Sequence, residues 1–389
     1  MSHLDAPTNA TASITDILPS AAALLGLTAG EDRLSLLDSH GPTDTVVVLL
    51  IDGLGLHLLE ALAPSAPLLA DVLRGARGQL VGLESTFPST TPTSLVSLGT
   101  GSAPGEHGVL GFTLRVPETG ALLTHVLWRT EPDPRTWQPR DTWFERVAAV
   151  GVGARAVLPA AFAGSGLTDA AYRGAAFRWV QPAADYAVAL AAEIGAGPGL
   201  VYGYLADLDT AAHLHGAGSA QWHTAAAAVD ALVRRVVSEL PAGAVLLVTA
   251  DHGGLNVPPD ARWDIDSDPR LGDNVLAATG EPRVRYLHVR PGAIDDVAAA
   301  WRSVLNSNAD VLLRDEAIDG GLFGPVSDSH RQRLGDLIVV CTADVALLAT
   351  AHEPPEVSAL VGFHGSRTAV EMAIPLITLT REDAFGVHA

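Results

Sequence analysis

Valine, leucine and isoleucine gather along this chain in short unbroken runs, separated by alanine-rich stretches with helical spacing. The runs at 45–51, 79–84, 154–158, 200–205, 244–250 and 336–341 read as core strands. The stretches at 54–73, 142–150, 183–195, 220–239 and 292–305 read as helices. A strand with one wet face alternates apolar and polar residues. These runs do not alternate, so both of their faces must be covered. Such strands, spaced by helix-length segments, predict an α/β fold built on a parallel sheet with helices on either side.

Two regions interrupt the rhythm. Residues 112–141 hold four prolines and two tryptophans, and residues 257–334 open with VPPDARWDIDSDPRLGD and contain a further strand–helix pair. Segments of this kind cover an active site or extend a sheet edge. Both are read as insertions into one catalytic domain, 43–389, preceded by an N-terminal extension, 1–42.

Polar residues at the ends of the apolar runs carry the chemistry. Asp52 closes TVVVLLID, Asp209 and His213 follow LVYGYLADLD, Asp251 and His252 close AVLLVTADHGG, and His364 lies in VGFHGS. Parallel sheets collect their functional groups beyond the carboxyl ends of their strands, so repeated placement there matters more than any one residue. Taken singly, Asp52 reads more readily as a helix cap than as a ligand. Asp209 and His213 stand four apart and share a helix face, with Asp207 and His215 close enough to compete. Asp251 and His252 are adjacent, and Gly253 and Gly254 allow the sharp bend needed for both to reach one ion. Jointly, three carboxylates and three imidazoles divide into two three-ligand sites with open positions, the mark of catalytic rather than structural metal. Two divalent ions roughly 4 Å apart can clamp both the attacking and the leaving oxygen of an in-line displacement. Imidazole-rich sets favour Zn2+, with Mn2+ or iron as alternatives.

A hydroxyl completes the set. In TFPSTTPTSLVSLGTG, residues 86–101, Pro92 suits the first position of a helix and makes Thr91 the residue just before it. A helix N-terminus favours phosphate, and metal coordination turns a threonine hydroxyl into a competent nucleophile. The same threonine reads equally as a helix cap, and Thr90 and Ser89 are alternatives for the nucleophile.

Composition narrows the field. The formal net charge of −20 argues against broad binding to nucleic acid or anionic membrane. All 24 basic residues are arginine, which excludes a P-loop lysine, a Schiff base and a pyridoxal-phosphate anchor. The single cysteine, Cys341, lies in an apolar run, reads as a buried inert thiol and suits a reducing compartment. No run reaches the ~18 apolar residues of a membrane span. The apolar stretch 17–27 follows Asp5 and Asp16 without an arginine, so it reads as a helix of the mature protein, and a cytoplasmic location is expected.

These segments resemble the alkaline phosphatase superfamily, most closely its nucleotide pyrophosphatase/phosphodiesterase branch, over roughly 43–115, 198–258 and 335–376. Asp52 matches the strand-end metal aspartate of that branch. Thr100-Gly101 followed by His107-Gly108 places Thr91 at the nucleophile position; Asp209, His213 and Gly216, Asp251-His252-Gly253, and Gly362, His364 and Gly365 match its remaining motifs. The resemblance implies a three-layer α/β sandwich with a central, mostly parallel sheet. It also implies one ion on Asp209, His213 and His364 and a second on Asp52, Asp251, His252 and Thr91. The implied activity is hydrolysis of a small phosphodiester or phosphoanhydride, such as a nucleotide, through a phosphothreonyl intermediate. The chain departs from the branch where Ser94 and Phe112 replace expected asparagines and Leu208 an expected proline. A phosphomonoesterase, phosphonate hydrolase or phosphomutase of the same superfamily is the alternative, and an inactive binding homologue a third. Monoesters demand extra positive charge, which here only an arginine such as Arg367 or Arg115 can supply, so diesters are favoured. Ser94, Phe112 and Tyr204 are the candidate substrate contacts. Phe87, Trp128 and Trp179 are further candidates for stacking on a base, although each suits the core better than a contact.

Overall fold

Residues 12–181 and 185–384 of the computed structural model are described. Residues 1–11 of the predicted extension, 183–184 of the predicted helix and 385–389 at the C-terminus lie outside them. The principal strands, in chain order, are β1 (Thr45–Ile51), β2 (Gln79–Glu84), β3 (Ala154–Pro159), β4 (Ala176–Val180), β5 (Gly199–Leu205) and β6 (Val245–Thr249). They continue with β7 (Val275–Glu281), β8 (Val284–Val289), β9 (Ala309–Leu313), β10 (Leu337–Cys341) and β11 (Ala373–Thr380).

Seven of these form the central sheet in the order β2-β11-β6-β1-β5-β3-β4. β1 pairs in parallel with β5 on one side and β6 on the other, and β5, β3 and β4 continue in parallel. Only β11 runs against its neighbours β2 and β6. Every residue of β1 and β6 is buried, as their unbroken apolar runs require. The edge strand β2 instead alternates between exposed and partly buried positions along most of its length. Helices Pro67–Leu73, Tyr186–Gly195 and Ala220–Glu239 pack together as one group, and Ile17–Leu24, Thr91–Thr100, Trp143–Ala149 and Gly166–Tyr172 as another. The result is a three-layer α/β sandwich around a mostly parallel sheet. Helix Ile17–Leu24 is buried throughout and belongs to the same core as the sheet. No described helix is long and apolar enough to cross a membrane.

Three expectations shift. The stretch 54–73 is not one helix: short turns at Leu56–Leu58 and Leu59–Leu62 end before Pro64, and a new helix starts with Pro67 in its first turn. The run at 336–341 forms β10, but β10 is not in the central sheet. It lies in a separate antiparallel sheet of order β7-β8-β10-β9. Its unbroken hydrophobicity arises because both faces are covered by different cores. Val284, Tyr286, Ile338 and Val340 join the main cluster, while Leu287, Val289, Leu337, Val339 and Cys341 pack with Val297, Ala298, Trp301 and Leu305 of helix Ile294–Leu305. Finally, β11 and β4 escaped the hydrophobic reading. Pro375 argues against an interior strand, yet β11 pairs with β6 only from Leu376 onward, so Pro375 faces Gly82 of the edge strand alone.

Candidate active site

The three adjacent strands β6, β1 and β5 deliver three carboxylates to one end of the sheet. Asp52 directly follows β1, and its amide donates to the Leu205 carbonyl at the end of β5 at 2.9 Å. Asp251 follows β6 and accepts from the Gly53 amide at 3.1 Å. Asp209 lies in the first turn of helix Asp207–His215, which begins just beyond β5. Gly53 has φ +71°, and a Cβ there would press on the Asp209 carboxylate at 2.9 Å. Glycine at this turn is what lets the strand end and the helix approach.

Two trios converge. In the first, His213 Nε2 lies 3.1 Å from Asp209 Oδ2 and 3.2 Å from His364 Nε2. In the second, His252 Nε2 lies 3.4 Å from both Asp52 Oδ1 and Asp251 Oδ2. Within each trio one ligand atom per residue lies within 4.8 Å of the others. The trios touch, because the rings of His252 and His364 stack with centroids 3.6 Å apart. Thr91 Oγ1 stands 3.1 Å from His252 Nε2.

Two features fit these trios to divalent cations. Each histidine pairs its Nδ1 with a backbone carbonyl: Gly362 for His213 at 2.8 Å, Gly253 for His252 at 2.9 Å and Ser89 for His364 at 2.9 Å. An Nδ1–H donated to a carbonyl leaves the Nε2 lone pair facing inward as a ligand, the usual outer support of a metal-binding imidazole. The second feature is an electrostatic deficit. Asp52 Oδ1 and Asp251 Oδ2 are buried without a hydrogen-bond partner among the described residues. Burial pushes Asp52 well above the usual carboxylate range, and the charges of Asp251 and Asp209 add to it. Burial raises Asp251 too, although His252 opposes the shift. A cation between them would offset both penalties. In the other trio, burial opposes charge on Asp209 and His213, but their mutual attraction prevails. It holds Asp209 below its ordinary range and lifts His213 to about 9. Burial and the neighbouring His252 keep His364 well below its ordinary value.

Helix Thr91–Thr100 begins at Thr91, with Thr90 as the extended cap residue, so Thr91 stands one position further into the helix than the sequence suggested. Thr90 and Ser89 are completely buried, whereas Thr91 is only partly so. Ser89 receives the Gly365 amide at 3.2 Å and donates to the Ser366 carbonyl, tying this turn to the His364 loop. Asp207 and His215 are exposed and outside both trios. The structure places Tyr204 behind the site, its hydroxyl donating to Asp52 Oδ2 and its ring against Phe162. Ser94 is fully buried and bonds to Ser85 Oγ at 3.1 Å and Thr86 Oγ1 at 3.2 Å. Phe112 is half-buried, and its carbonyl accepts from the His125 amide at 3.0 Å. Phe87 packs on Phe323, Trp128 is buried against His125, and Trp179 stacks on Phe177. Arg367 pairs with Asp310 at 2.6 Å, and Arg115 leans on the Gly120 turn.

Sequence reasoning missed the carboxylates that support the site from the second sheet and the β11 approach. Glu281, at the end of β7, is buried against Gly365 with Oε2 3.8 Å from His364 Nδ1, and burial pushes it up to about 8. Glu371 is fully buried, gripped by Arg283 through Nε at 3.0 Å and Nη2 at 2.7 Å. Its side chain receives the Ser366 amide at 3.0 Å, and its backbone carbonyl receives the Gly253 amide at 2.8 Å. One residue thus braces the loops of both His364 and His252. The available signal was the cluster of charges inside the apolar hairpin VLAATGEPRVRYLHV.

Comparison with known proteins places the chain in a family. The family model described as type I phosphodiesterase / nucleotide pyrophosphatase matches residues 46–367. No curated protein sequence matches the chain. Among solved structures, murine ectonucleotide pyrophosphatase / phosphodiesterase 5 is similar with a TM-score of 0.70 and 18% identity, covering 86% of this chain and 88% of that one. An inactive variant of the same murine protein, in complex with AMP, gives a TM-score of 0.69 and 17% identity, over 86% and 88% of the two chains. Phosphonoacetate hydrolase from Sinorhizobium meliloti 1021, in complex with phosphonoacetate, gives 0.64 and 19%, over 88% and 94%. At these identities the structures bear on the fold alone. The family match spans most of the chain, and on that basis this protein belongs to the type I phosphodiesterase / nucleotide pyrophosphatase family of the alkaline phosphatase superfamily and is a phosphoester hydrolase.

Proposed function

We propose that the chain is a two-metal phosphodiesterase or nucleotide pyrophosphatase with Thr91 as its nucleophile. The observation that carries this reading is the convergence of two ligand trios beside one hydroxyl, Thr91 Oγ1, at 3.1 Å from His252 Nε2. Asp209, His213 and His364 would hold one cation, and Asp52, Asp251, His252 and Thr91 the other. Zn2+ suits three imidazoles best, with Mn2+ as the alternative. When bound, such ions supply Lewis acidity, lowering the pKa of the threonine hydroxyl and offsetting charge on phosphoryl oxygens. Thr91 Oγ1 attacks phosphorus, the bond to the departing alkoxide or phosphate breaks, and a phosphothreonyl ester remains. Water then cleaves that ester and regenerates the hydroxyl. The N-terminus of helix Thr91–Thr100 favours the negative charge held there.

A diester substrate, such as a small nucleotide derivative, fits the electrostatics. The charged neighbours that shift the trio residues are chiefly one another and Glu281, and Arg367 is engaged with Asp310. A monoester would bring an additional negative oxygen into a site already crowded with carboxylates. Cys341, buried and unpaired, suits the reducing cytoplasm we assign. The rival reading, a phosphonate or phosphomonoester hydrolase, draws on Ser94 and Phe112, which stand where diesterases of this branch carry asparagine. Hydrolysis of a bis-aryl phosphate should exceed that of the matching mono-aryl phosphate at least tenfold. The reverse order would reject the diesterase. Thr91→Ala should lower kcat by a factor on the order of 10³ or more, as losing a covalent nucleophile does, with both metals retained.

A further inference from the structure

Four arginines are almost completely buried: Arg173, Arg283, Arg285 and Arg333. Three have a carboxylate: Glu145 for Arg173, Glu371 for Arg283 and Glu353 for Arg285. Arg333, only 6% exposed, has none within ion-pair distance among the described residues. Its Nη1 donates to the Gly108 carbonyl at 2.7 Å and the Trp137 carbonyl at 2.9 Å, and its guanidinium lies 3.6 Å over the Trp137 ring. Those bonds fix the plane of the group. Gly108, with φ +83°, leaves room for it, since a Cβ there would collide with Nη1. Among the described residues the Nε and Nη2 edge meets no acceptor, and these atoms are not among the fully buried polar atoms left without a hydrogen bond. That is the edge Arg283 uses to take both oxygens of Glu371.

Arg333 lines a cavity of about 710 Å³ formed by the 112–141 insertion, with Val116, Leu122 and Leu123 as apolar walls and Glu118, Glu131 and Asp133 around it. The volume falls in the range of small-molecule sites, roughly 300–1,000 Å³. None of its lining residues belongs to the two trios. Burying a cation with no carboxylate in contact is costly, and a planar anion bound side-on would offset that cost. Burial shows in Arg333 itself, which is pulled down to about 10 although the charge of Glu118 opposes the shift. The nearby acids disfavour a doubly charged phosphate, and the apolar walls favour a hydrocarbon body.

We propose that this cavity is a second ligand site, separate from the metal cluster, which binds a small amphipathic carboxylate through the free Nε/Nη2 edge of Arg333. Octanoate is a suitable probe and octylammonium its charge-reversed control. Calorimetry on the metal-loaded protein should show saturable octanoate binding and at least tenfold weaker binding of octylammonium. Arg333→Lys keeps the charge but loses the fork, and should weaken octanoate at least tenfold. Leu122 is 51% exposed, so Leu122→Asp leaves the fold intact while placing a carboxylate on the wall, and should weaken it similarly. Equal binding of the two probes, or no octanoate binding by the folded protein, overturns the proposal. So does octanoate binding that survives Leu122→Asp and Arg333→Lys but disappears in Asp209→Asn, which would assign it to the metals.

Discussion

The Tyr204 hydroxyl donates to Asp52 Oδ2, while Oδ1 of the same carboxylate has no partner among the described residues and faces His252. The tyrosine therefore orients a proposed metal ligand rather than offering its ring to a base. Tyr204→Phe should weaken metal affinity or activity about 10- to 100-fold, as the loss of an outer partner of a metal ligand does. Competition with a chelating dye measures the first and kcat/KM the second; if both stay unchanged, Tyr204 does not position Asp52. His125 makes a different prediction. Its Nδ1 pairs with the Phe112 carbonyl and its Nε2 accepts from Trp137 Nε1, both at 3.1 Å, so the ring is held neutral. Burial pushes it down to about 4 from an ordinary 6.5. Between those values the unfolded chain binds the extra proton, so stability present above pH 6.5 is lost as the pH falls towards 4, by up to about 3 kcal/mol. Urea midpoints measured across that window should fall less steeply in His125→Gln. An identical slope would mean that His125 contributes nothing to acid sensitivity. The proposed metal ligands stood out in the sequence because each closes or follows an apolar run, and the structure brings them together as two trios. Tyr204 was not legible in this role, because a tyrosine inside a strand looks the same whether its hydroxyl meets a carboxylate or solvent. Glu281 and Glu371 were hidden because their partners lie far away in sequence.

Among the elements, helix Thr91–Thr100 depends on one close contact. A Cβ at Gly99 would collide with the Ala171 carbonyl of helix Gly166–Tyr172. Gly99→Ala should therefore cost about 1–3 kcal/mol as an overpacked substitution, despite alanine's better helix propensity. A gain in stability by urea denaturation would refute the contact. Breaking the Arg283–Glu371 pair should cost more, about 3–5 kcal/mol, because Arg283→Met leaves a buried carboxylate without its counter-charge. The same variant should lose metal, since Glu371 braces both histidine loops. Chemical denaturation and metal content, measured together, check this. The sheet's buried middle was readable because β1, β5 and β6 are covered on both faces. β10 read identically for the same reason, although its two faces meet two different cores. Hydrophobic pattern reports coverage, and says nothing about which sheet a strand joins.

For the whole molecule, metal should be a stabiliser as well as a reagent. The six proposed ligands come from separate parts of the chain and meet only in the folded state, so metal bound by them would be linked to folding. Free Zn2+ at a thousand times its Kd should add about 4 kcal/mol. A chelator should lower Tm correspondingly, and a Tm indifferent to metal and chelator would mean that the trios do not bind Zn2+. The formal charge of −20 makes the folded chain a poor partner for other polyanions, which suits a small phosphoester better than a polymer.

Arg283 reaches from the hairpin between β7 and β8 to Glu371, and Glu371 holds the backbone on either side of the two ligand trios. The added sheet is therefore a buttress, not an ornament. Trimming this hydrolase to its central sandwich would not give a smaller catalyst, because the cut would remove the brace that keeps the two histidine loops facing each other.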